Sequence, residues 1–220
     1  MNALDIELAV VTGGHWFEVR GFHQLFRSLP HINATIQHME DFGSSLPSER
    51  LSYQVVLFYG MQIPTPQDDP HPNAREKYLS ALEQLPGTGQ GIILLHHALM
   101  AYPHYPLWDQ FTGMSGRDQF TYDHDQHFTI DINDADHRIS RGLPAWQIED
   151  ETYVLPEPGE GSRVLFTTHH PKSMRALGWV RQVQKARVFN FQPGHDRRAW
   201  ENPTFREILF RAVRWCAGEA

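Results

Sequence analysis

Short apolar runs alternate with longer segments of mixed polarity through the first half of the chain. These runs have the length of buried strands, and glycine or proline residues typical of turns follow several of them. The longer segments carry apolar residues three and four positions apart, as one face of a helix does. This alternation predicts a parallel sheet with helices packed against it. The predicted strands are residues 6–12, 34–39, 55–59 and 92–95, and the predicted helices are residues 17–29, 72–85 and 107–111.

The second half of the chain has a different pattern of apolar and polar residues. Residues 128–132 alternate apolar and polar side chains, as a strand with one exposed face does. No repeat or linker divides the chain, so we predict a single domain over residues 1–220, with a three-layer α/β fold. A parallel sheet comes first, then an antiparallel extension, then a strand that returns to the main sheet. The later strands are predicted at residues 147–155, 163–168, 176–181 and 186–191, and a last helix at 203–217 precedes Gly218 at its expected C-cap.

Composition and charge exclude several classes of protein. The net charge is −7 and no run of Lys or Arg occurs, which argues against nucleic-acid or anionic-membrane binding. Cys216 is the one cysteine in the sequence, so a disulfide framework and a Cys-based zinc finger are excluded. Gly13-Gly14 is too short for a dinucleotide-binding fingerprint and no P-loop occurs, so we expect no nucleotide cofactor. With no signal-peptide pattern at the start, we expect a cytoplasmic protein.

Histidines follow three of the four strands whose carboxyl ends are predicted to share one edge of the sheet. His15 follows the first strand, His96-His97 the fourth, and His195 the last. In open α/β sheets, ligands bind beyond the carboxyl ends of the strands. We therefore predict that His15, His96 and His195 meet at this edge.

Neutral imidazoles that converge in a cleft suit a divalent metal such as Zn²⁺ or Mn²⁺. We predict His15, His96 and His195 as ligands, with Glu149, Asp150 or Glu151 as the nearest carboxylate by pattern. Without a metal, the same imidazoles suit general acid–base catalysis, because imidazole titrates near neutral pH. The alternative is that these histidines only cap strand ends and bond loop backbone.

Substrate contacts are predicted from the loops around the same edge. Trp16 and Tyr59 are candidates for packing against the C–H face of a sugar ring, and His97 and Asp196 neighbour the predicted catalytic histidines. Two further polar segments are interpreted as solvated loops: residues 123–127, with the sequence Asp-His-Asp-Gln-His, and the pair Arg197-Arg198.

Several segments together resemble the ThuA-like (trehalose utilisation) family, which is related in fold to class I glutamine amidotransferases. They are residues 91–96, 113–116, 136–144, 150–153, 187–196 and 214–218. The resemblance implies a flavodoxin-like sheet, a role in disaccharide or keto-sugar metabolism, and a metal site of the kind associated with some members. His15, His96, Glu151 and His195 match the functional positions of the family's motifs. The resemblance therefore implies His96, His195 and Glu151 as the catalytic residues. The chain departs from the family pattern at His97, at residues 98–106 and at 190–192.

Amidotransferase chemistry is excluded by the residues themselves. His96-His97 occupy the turn where the cysteine nucleophile would stand, and Cys216 lies in the predicted last helix. A G-x-S-x-G nucleophile elbow is also excluded, because in Gly113-Met114-Ser115-Gly116 the position of the motif's second glycine is occupied by Arg117. Three readings stay open: an enzyme that hydrolyses, eliminates or isomerises a sugar or oxidised sugar; a non-catalytic sugar- or partner-binding protein; and a homo-oligomeric structural module.

Overall fold

The computed structural model describes residues 5–65 and 72–219, and of residues 72–76 only the backbone. In this part of the chain a nine-stranded sheet runs in the order β2-β1-β3-β4-β9-β8-β7-β5-β6. The strands are β1 (Ile6–Thr12), β2 (Ile32–His38), β3 (Val55–Phe58), β4 (Gly91–Leu95), β5 (Thr121–Ile132), β6 (Trp146–Val154), β7 (Arg163–Thr167), β8 (Ala176–Val183) and β9 (Ala186–Phe191). The helices are α1 (Val19–Arg27), α2 (Met39–Ser44), α3 (Pro47–Arg50), α4 (Pro72–Thr88), α5 (Pro106–Thr112), α6 (Arg197–Trp200) and α7 (Pro203–Cys216).

The five strands β2, β1, β3, β4 and β9 are parallel, and the predicted fold class is confirmed. Because side chains alternate across a strand, each central strand supplies both faces of the sheet. One face packs against α1, α6 and α7, and the other packs against α2, α4 and α5. The predicted strands 6–12 and 186–191 have the observed boundaries. The last strand returns to the parallel sheet as predicted, and there it pairs with β4.

The antiparallel extension consists of β8, β7, β5 and β6. Here one expectation is wrong: residues 123–127 belong to β5 and are not a solvated loop before it. Their polar side chains hid the strand, because most of them are exposed and their register shifts against β6 between Asp123 and Gln126. The shift marks a β-bulge, in which Asp125 has a positive φ of 55°.

The segment that follows β4 is stabilised by hydrogen bonds from a buried arginine. His96–Met100 forms a 3₁₀ helix, and the buried Arg117 guanidinium donates to the carbonyls of Leu99, Ala101 and Tyr102 and to the Asp109 carboxylate. These bonds satisfy loop carbonyls that burial removes from water. No helix in the described residues is long and apolar enough to cross a membrane.

Candidate active site

His96 stands at the turn directly after β4, with a positive φ of 56° and a fully buried side chain. Positive φ is uncommon outside glycine and is concentrated at functional sites. Its Nδ1 lies 2.7 Å from the carbonyl oxygen of Gln192. A carbonyl only accepts hydrogen bonds, so Nδ1 carries the proton and neutral His96 presents the Nε2 lone pair on its other side.

His195 is positioned by the backbone that precedes it. The buried carboxylate of Asp150 accepts hydrogen bonds from the N–H groups of Gly194 (2.6 Å) and His195 (3.0 Å), and also from that of Glu151 (2.8 Å). The Tyr59 hydroxyl lies 3.0 Å and 2.9 Å from the carbonyl oxygens of Gly194 and His195. The loop after β9 is therefore tied to both β6 and β3.

Glu151 and Tyr153 reach the same point from β6, on which residues two apart share a face. Glu151 Oε2 lies 3.2 Å from His96 Nε2 and 3.1 Å from His195 Nδ1, and these two nitrogens are 3.1 Å apart. The Tyr153 hydroxyl lies 2.5 Å from Glu151 Oε2 and 2.6 Å from His96 Nε2. His96, Glu151 and His195, which we call the central triad, therefore bring three donor atoms to one point.

The electrostatics of the site follow from burial and from the Glu151 charge. Burial raises the pKa of Glu151, but its contacts with His195, His96 and the Tyr153 hydroxyl outweigh this effect, and the net pKa lies well below its usual range. Burial lowers the pKa of His195, and the hydrogen bond and charge of Glu151 reverse this into a net increase. Burial and the Glu151 charge raise the pKa of Tyr153 well above its ordinary value. These shifts favour an ionised Glu151, a protonated Tyr153 and the charged form of His195.

His124 is a site residue that the sequence interpretation missed. The β5 bulge places its Nδ1 2.9 Å from Glu151 Oε1, the carboxylate oxygen that the other two histidines do not use. Its ring centroid lies 5.5 Å from that of His195, and its side chain is 57% exposed. The signal was present in the two histidines of residues 123–127, but polar strands resemble loops in composition.

His15 lies beside the central triad but is not part of it. Its Nδ1 is 2.7 Å from the carbonyl oxygen of Trp16, and its ring centroid is 4.5 Å from that of His97 and 6.4 Å from that of His195. Within the described residues, the group able to hold a metal comprises His96, Glu151 and His195. Of the three carboxylates that the sequence interpretation considered for completing the site, Glu151 is the one in this group, and ligation by His15 stays a prediction.

The four predicted substrate-contacting residues lie at different depths. Tyr59 and His97 are buried, and His97 Nε2 lies 2.8 Å from the Tyr59 carbonyl oxygen. Both side chains therefore lie beneath the surface of the site, and contact of these two residues with a substrate stays a prediction. Asp196 caps α6, where its carboxylate accepts from the N–H of Arg198. Trp16 is 78% exposed and remains available for contact with a ligand.

A cavity of about 420 Å³ opens beside the central triad. His195 is the triad member that lines it, and Trp16 and Phe17 supply aromatic walls. The four charged residues around it neutralise one another: Arg197 pairs with Glu18, and Arg198 pairs with Asp196 and, beyond the cavity, with Asp125 and Glu149. The Arg197-Arg198 pair, interpreted from sequence as a solvated loop, instead begins α6 and forms part of the wall.

Comparison with known proteins now decides the family. The family described as trehalose utilisation, ThuA, matches residues 25–216, which is most of the chain. The chain belongs to the ThuA family. Among curated proteins, none matches it in sequence.

Solved structures share the fold at low sequence identity. A ThuA-like protein from Parabacteroides merdae is similar at a TM-score of 0.77 and 18% identity, over 98% of this chain and 91% of that one. A cytoplasmic protein from Salmonella typhimurium gives 0.65 and 11%, over 94% and 98%. A glutamine amidotransferase from Thermotoga maritima gives 0.57 and 9%, over 96% and 98%. These likenesses confirm the flavodoxin-like, amidotransferase-like fold and carry no activity with them.

Replacing Asp150 by Ala tests what holds His195 in place. The change leaves three backbone N–H groups without their acceptor, at roughly 1–3 kcal/mol for each group left unpaired. We expect a lower free energy of unfolding in urea and faster hydrogen exchange at the Gly194 and His195 amides. The control Asp118→Ala removes an exposed carboxylate and leaves both unchanged. Unaltered exchange at these two amides in Asp150→Ala would show that the loop is held by other contacts.

Proposed function

We propose that this protein is an enzyme of carbohydrate metabolism that acts on a sugar or oxidised sugar with the aid of a divalent cation. The observation that carries the proposal is the convergence of His96 Nε2, His195 Nδ1 and Glu151 Oε2 within about 3 Å of one another. The family description, trehalose utilisation, supports a disaccharide or a keto-sugar derived from it.

The donor set fits a borderline divalent ion. Two imidazole nitrogens and one carboxylate oxygen are a ligand set common to catalytic Zn²⁺ sites. Ligands about 2.1 Å from a tetrahedral ion lie roughly 3.4 Å apart, close to the spacing observed here. The carbonyl of Gln192 fixes the His96 tautomer, and His124 bonds the outer oxygen of Glu151; partners of this kind usually orient metal ligands. Zn²⁺ and Mn²⁺ are the cations we propose.

When bound, such a cation supplies Lewis acidity to a sugar carbonyl or hydroxyl oxygen. The chain's own groups provide the rest of the chemistry. Tyr153 keeps its proton because its pKa is raised, so its hydroxyl is a donor within reach of the central triad. Glu151 stays ionised and is oriented from both sides by histidines. A 3-keto-glycoside suits this arrangement, since its carbonyl acidifies the neighbouring C–H bond and so favours elimination, hydration or isomerisation.

The cavity next to His195 favours a neutral ligand with an apolar face. Trp16 offers an exposed ring, and sugar C–H faces pack against aromatic rings. Arg197 and Arg198 are paired with carboxylates, so no free cation of the described wall attracts an acid group. We further propose a cytoplasmic location, the term used in the name of the Salmonella protein with this fold.

Cation binding is expected to depend on the central triad. After loading with Zn²⁺ or Mn²⁺ and desalting, the protein should retain about one ion per chain by mass spectrometry of its metal content. His195→Ala and Glu151→Gln should each lose most of it, because a ligand is removed. His31→Ala, which removes an exposed histidine, is the control. Retention of the ion by the His96→Ala/His195→Ala double variant would overturn the cation proposal.

The contact between His124 and Glu151 yields a separate expectation. His124→Ala should weaken cation affinity about 10- to 100-fold, the range found when an outer partner of a metal ligand is removed. His127→Ala is a matched control on the same strand, because His127 is exposed and lies 3.8 Å from Glu149, outside the triad. Calorimetric titration measures both. Equal affinities in the two variants would mean that His124 does not orient Glu151.

Turnover of sugars tests the reaction class. Cation-loaded protein should convert 3-keto-trehalose or unoxidised trehalose to a product detectable by mass spectrometry, and Glu151→Gln should abolish the conversion. Trp16→Ala should raise KM more than it lowers kcat if the ring only binds the sugar. Binding of a disaccharide by cation-free protein, with no conversion of either sugar, would instead identify a non-catalytic sugar-binding protein on an amidotransferase-like scaffold.

A further inference from the structure

Six arginines gather on one face of the protein although its net charge is −7. Two adjoining cavities of about 460 Å³ each lie there, and both are lined by Arg138, Arg141 and Trp215. Arg211, Arg214 and Glu219 complete the first cavity, and Arg163 and Arg181 contribute to the second. We call the first cavity, with its four arginines, the arginine pocket.

The arginine pocket is built by the end of α7 and the loop between β5 and β6. Arg211 and Arg214 are three residues apart and so lie on the same side of α7. Arg211 Nη1 donates to the carbonyl of Arg141 at 2.7 Å, which holds the loop against the helix. Arg138 Nη1 donates to the carbonyl of Glu219 at 3.2 Å. The four guanidinium groups are thus brought together by specific contacts between two elements.

Positive charge in the arginine pocket exceeds negative charge. Arg211 is paired with Glu207 and Arg214 with Glu219, each at 2.6 Å. Among the described residues, Arg138 and Arg141 have no carboxylate within 4.0 Å, and their side-chain hydrogen bonds go to backbone carbonyls. Like charges in close proximity repel, so an anion between them lowers the energy of the cluster.

The neighbouring His137 responds to the same positive field. Its side chain is buried and its ring packs 5.2 Å from Trp215. Burial lowers the pKa of His137, and the charges of Arg163, Arg138 and Arg141 lower it further against the opposing effect of Asp134. Arg138 and Arg141 of the arginine pocket thus contribute to the positive potential at this imidazole, together with Arg163 outside the pocket.

We propose that the arginine pocket binds the phosphate group of a small phosphorylated molecule. Guanidinium groups match phosphate oxygens through paired, charge-assisted hydrogen bonds, which makes arginine the preferred residue for this recognition. Trp215 adds a half-buried apolar wall for the remainder of the ligand. Neither the family description nor the proposed sugar chemistry assigns this site.

The arginine pocket is remote from the central triad. Cys216, the last residue of α7, packs against Gly91 at the start of β4, whereas His96 follows the other end of that strand. The two sites therefore lie at opposite ends of the parallel strands, the arginine pocket near the start of β4 and the central triad after its carboxyl end. A phosphorylated ligand held there is not the substrate at His96, and the proposal stands whether or not the sugar reaction is correct.

Calorimetric titration with inorganic pyrophosphate and with glucose-6-phosphate tests the proposal. We expect saturable binding that weakens about tenfold or more in Arg138→Gln/Arg141→Gln. Arg27→Gln/Arg175→Gln removes the same charge from exposed arginines elsewhere and should bind like the unmodified protein. Arg138→Lys/Arg141→Lys keeps the charge but loses the paired hydrogen bonds, so we expect an affinity between those of the other two double variants.

The outcomes separate the sources of the phosphate. Binding of glucose-6-phosphate but not glucose indicates a phosphorylated metabolite, and binding of pyrophosphate alone indicates inorganic phosphate chains; either result supports the proposal. No saturation by either compound overturns it. Equal weakening in the two Gln double variants also overturns it, because the effect would then be one of net charge. Binding of single-stranded RNA without binding of the small phosphates would reject it as well.

Discussion

The arrangement of the active site depends on the hydrogen bonds that the buried Asp150 carboxylate accepts from the backbone. Removing a carboxylate from water is costly unless hydrogen bonds replace the lost hydration. Asp150 recovers them from three backbone N–H groups, two of which belong to Gly194 and His195. Burial still raises its pKa, with the hydrogen bonds acting in the opposite direction. The same residue therefore anchors β6 and sets the position of the loop that follows β9.

The general fold is readable from the sequence because its signals are local and redundant. The strand at residues 6–12 is a continuous apolar run, and α7 has a regular apolar face between Pro203 and Gly218. Both were predicted within one residue of their observed limits. Helices α2, α3 and α6 have only four to six residues, too few to establish a helical period. Their short turns are set by caps and tertiary contacts that no periodic pattern records.

The candidate site could be predicted only in part from the sequence. The position of a residue after a parallel strand predicts which residues lie near it, but not where its side chain points. His96 and His195 were expected to meet, and they do, since parallel strands end at the same edge. Tyr59 follows a strand in the same way, yet its ring points into the core and its hydroxyl bonds backbone carbonyls. His124 lies on an antiparallel strand, within the bulge of β5, where its ring contacts Glu151. The bulge arises in the pairing of β5 with β6, two segments distant in sequence, so a short stretch of sequence does not predict it.

The long spacing of the central triad along the chain ties the site to the order of folding. Glu151 is 55 residues from His96, and His195 is 99 residues from it. Loop-closure entropy must be overcome before such distant groups meet, so the triad forms only once the parallel sheet and the β5–β6 hairpin have docked. A ligand that engages the triad recognises the native state alone and stabilises the entire domain through mass action. Thermal stability in the presence of a ligand thus becomes a direct report on whether the triad has assembled.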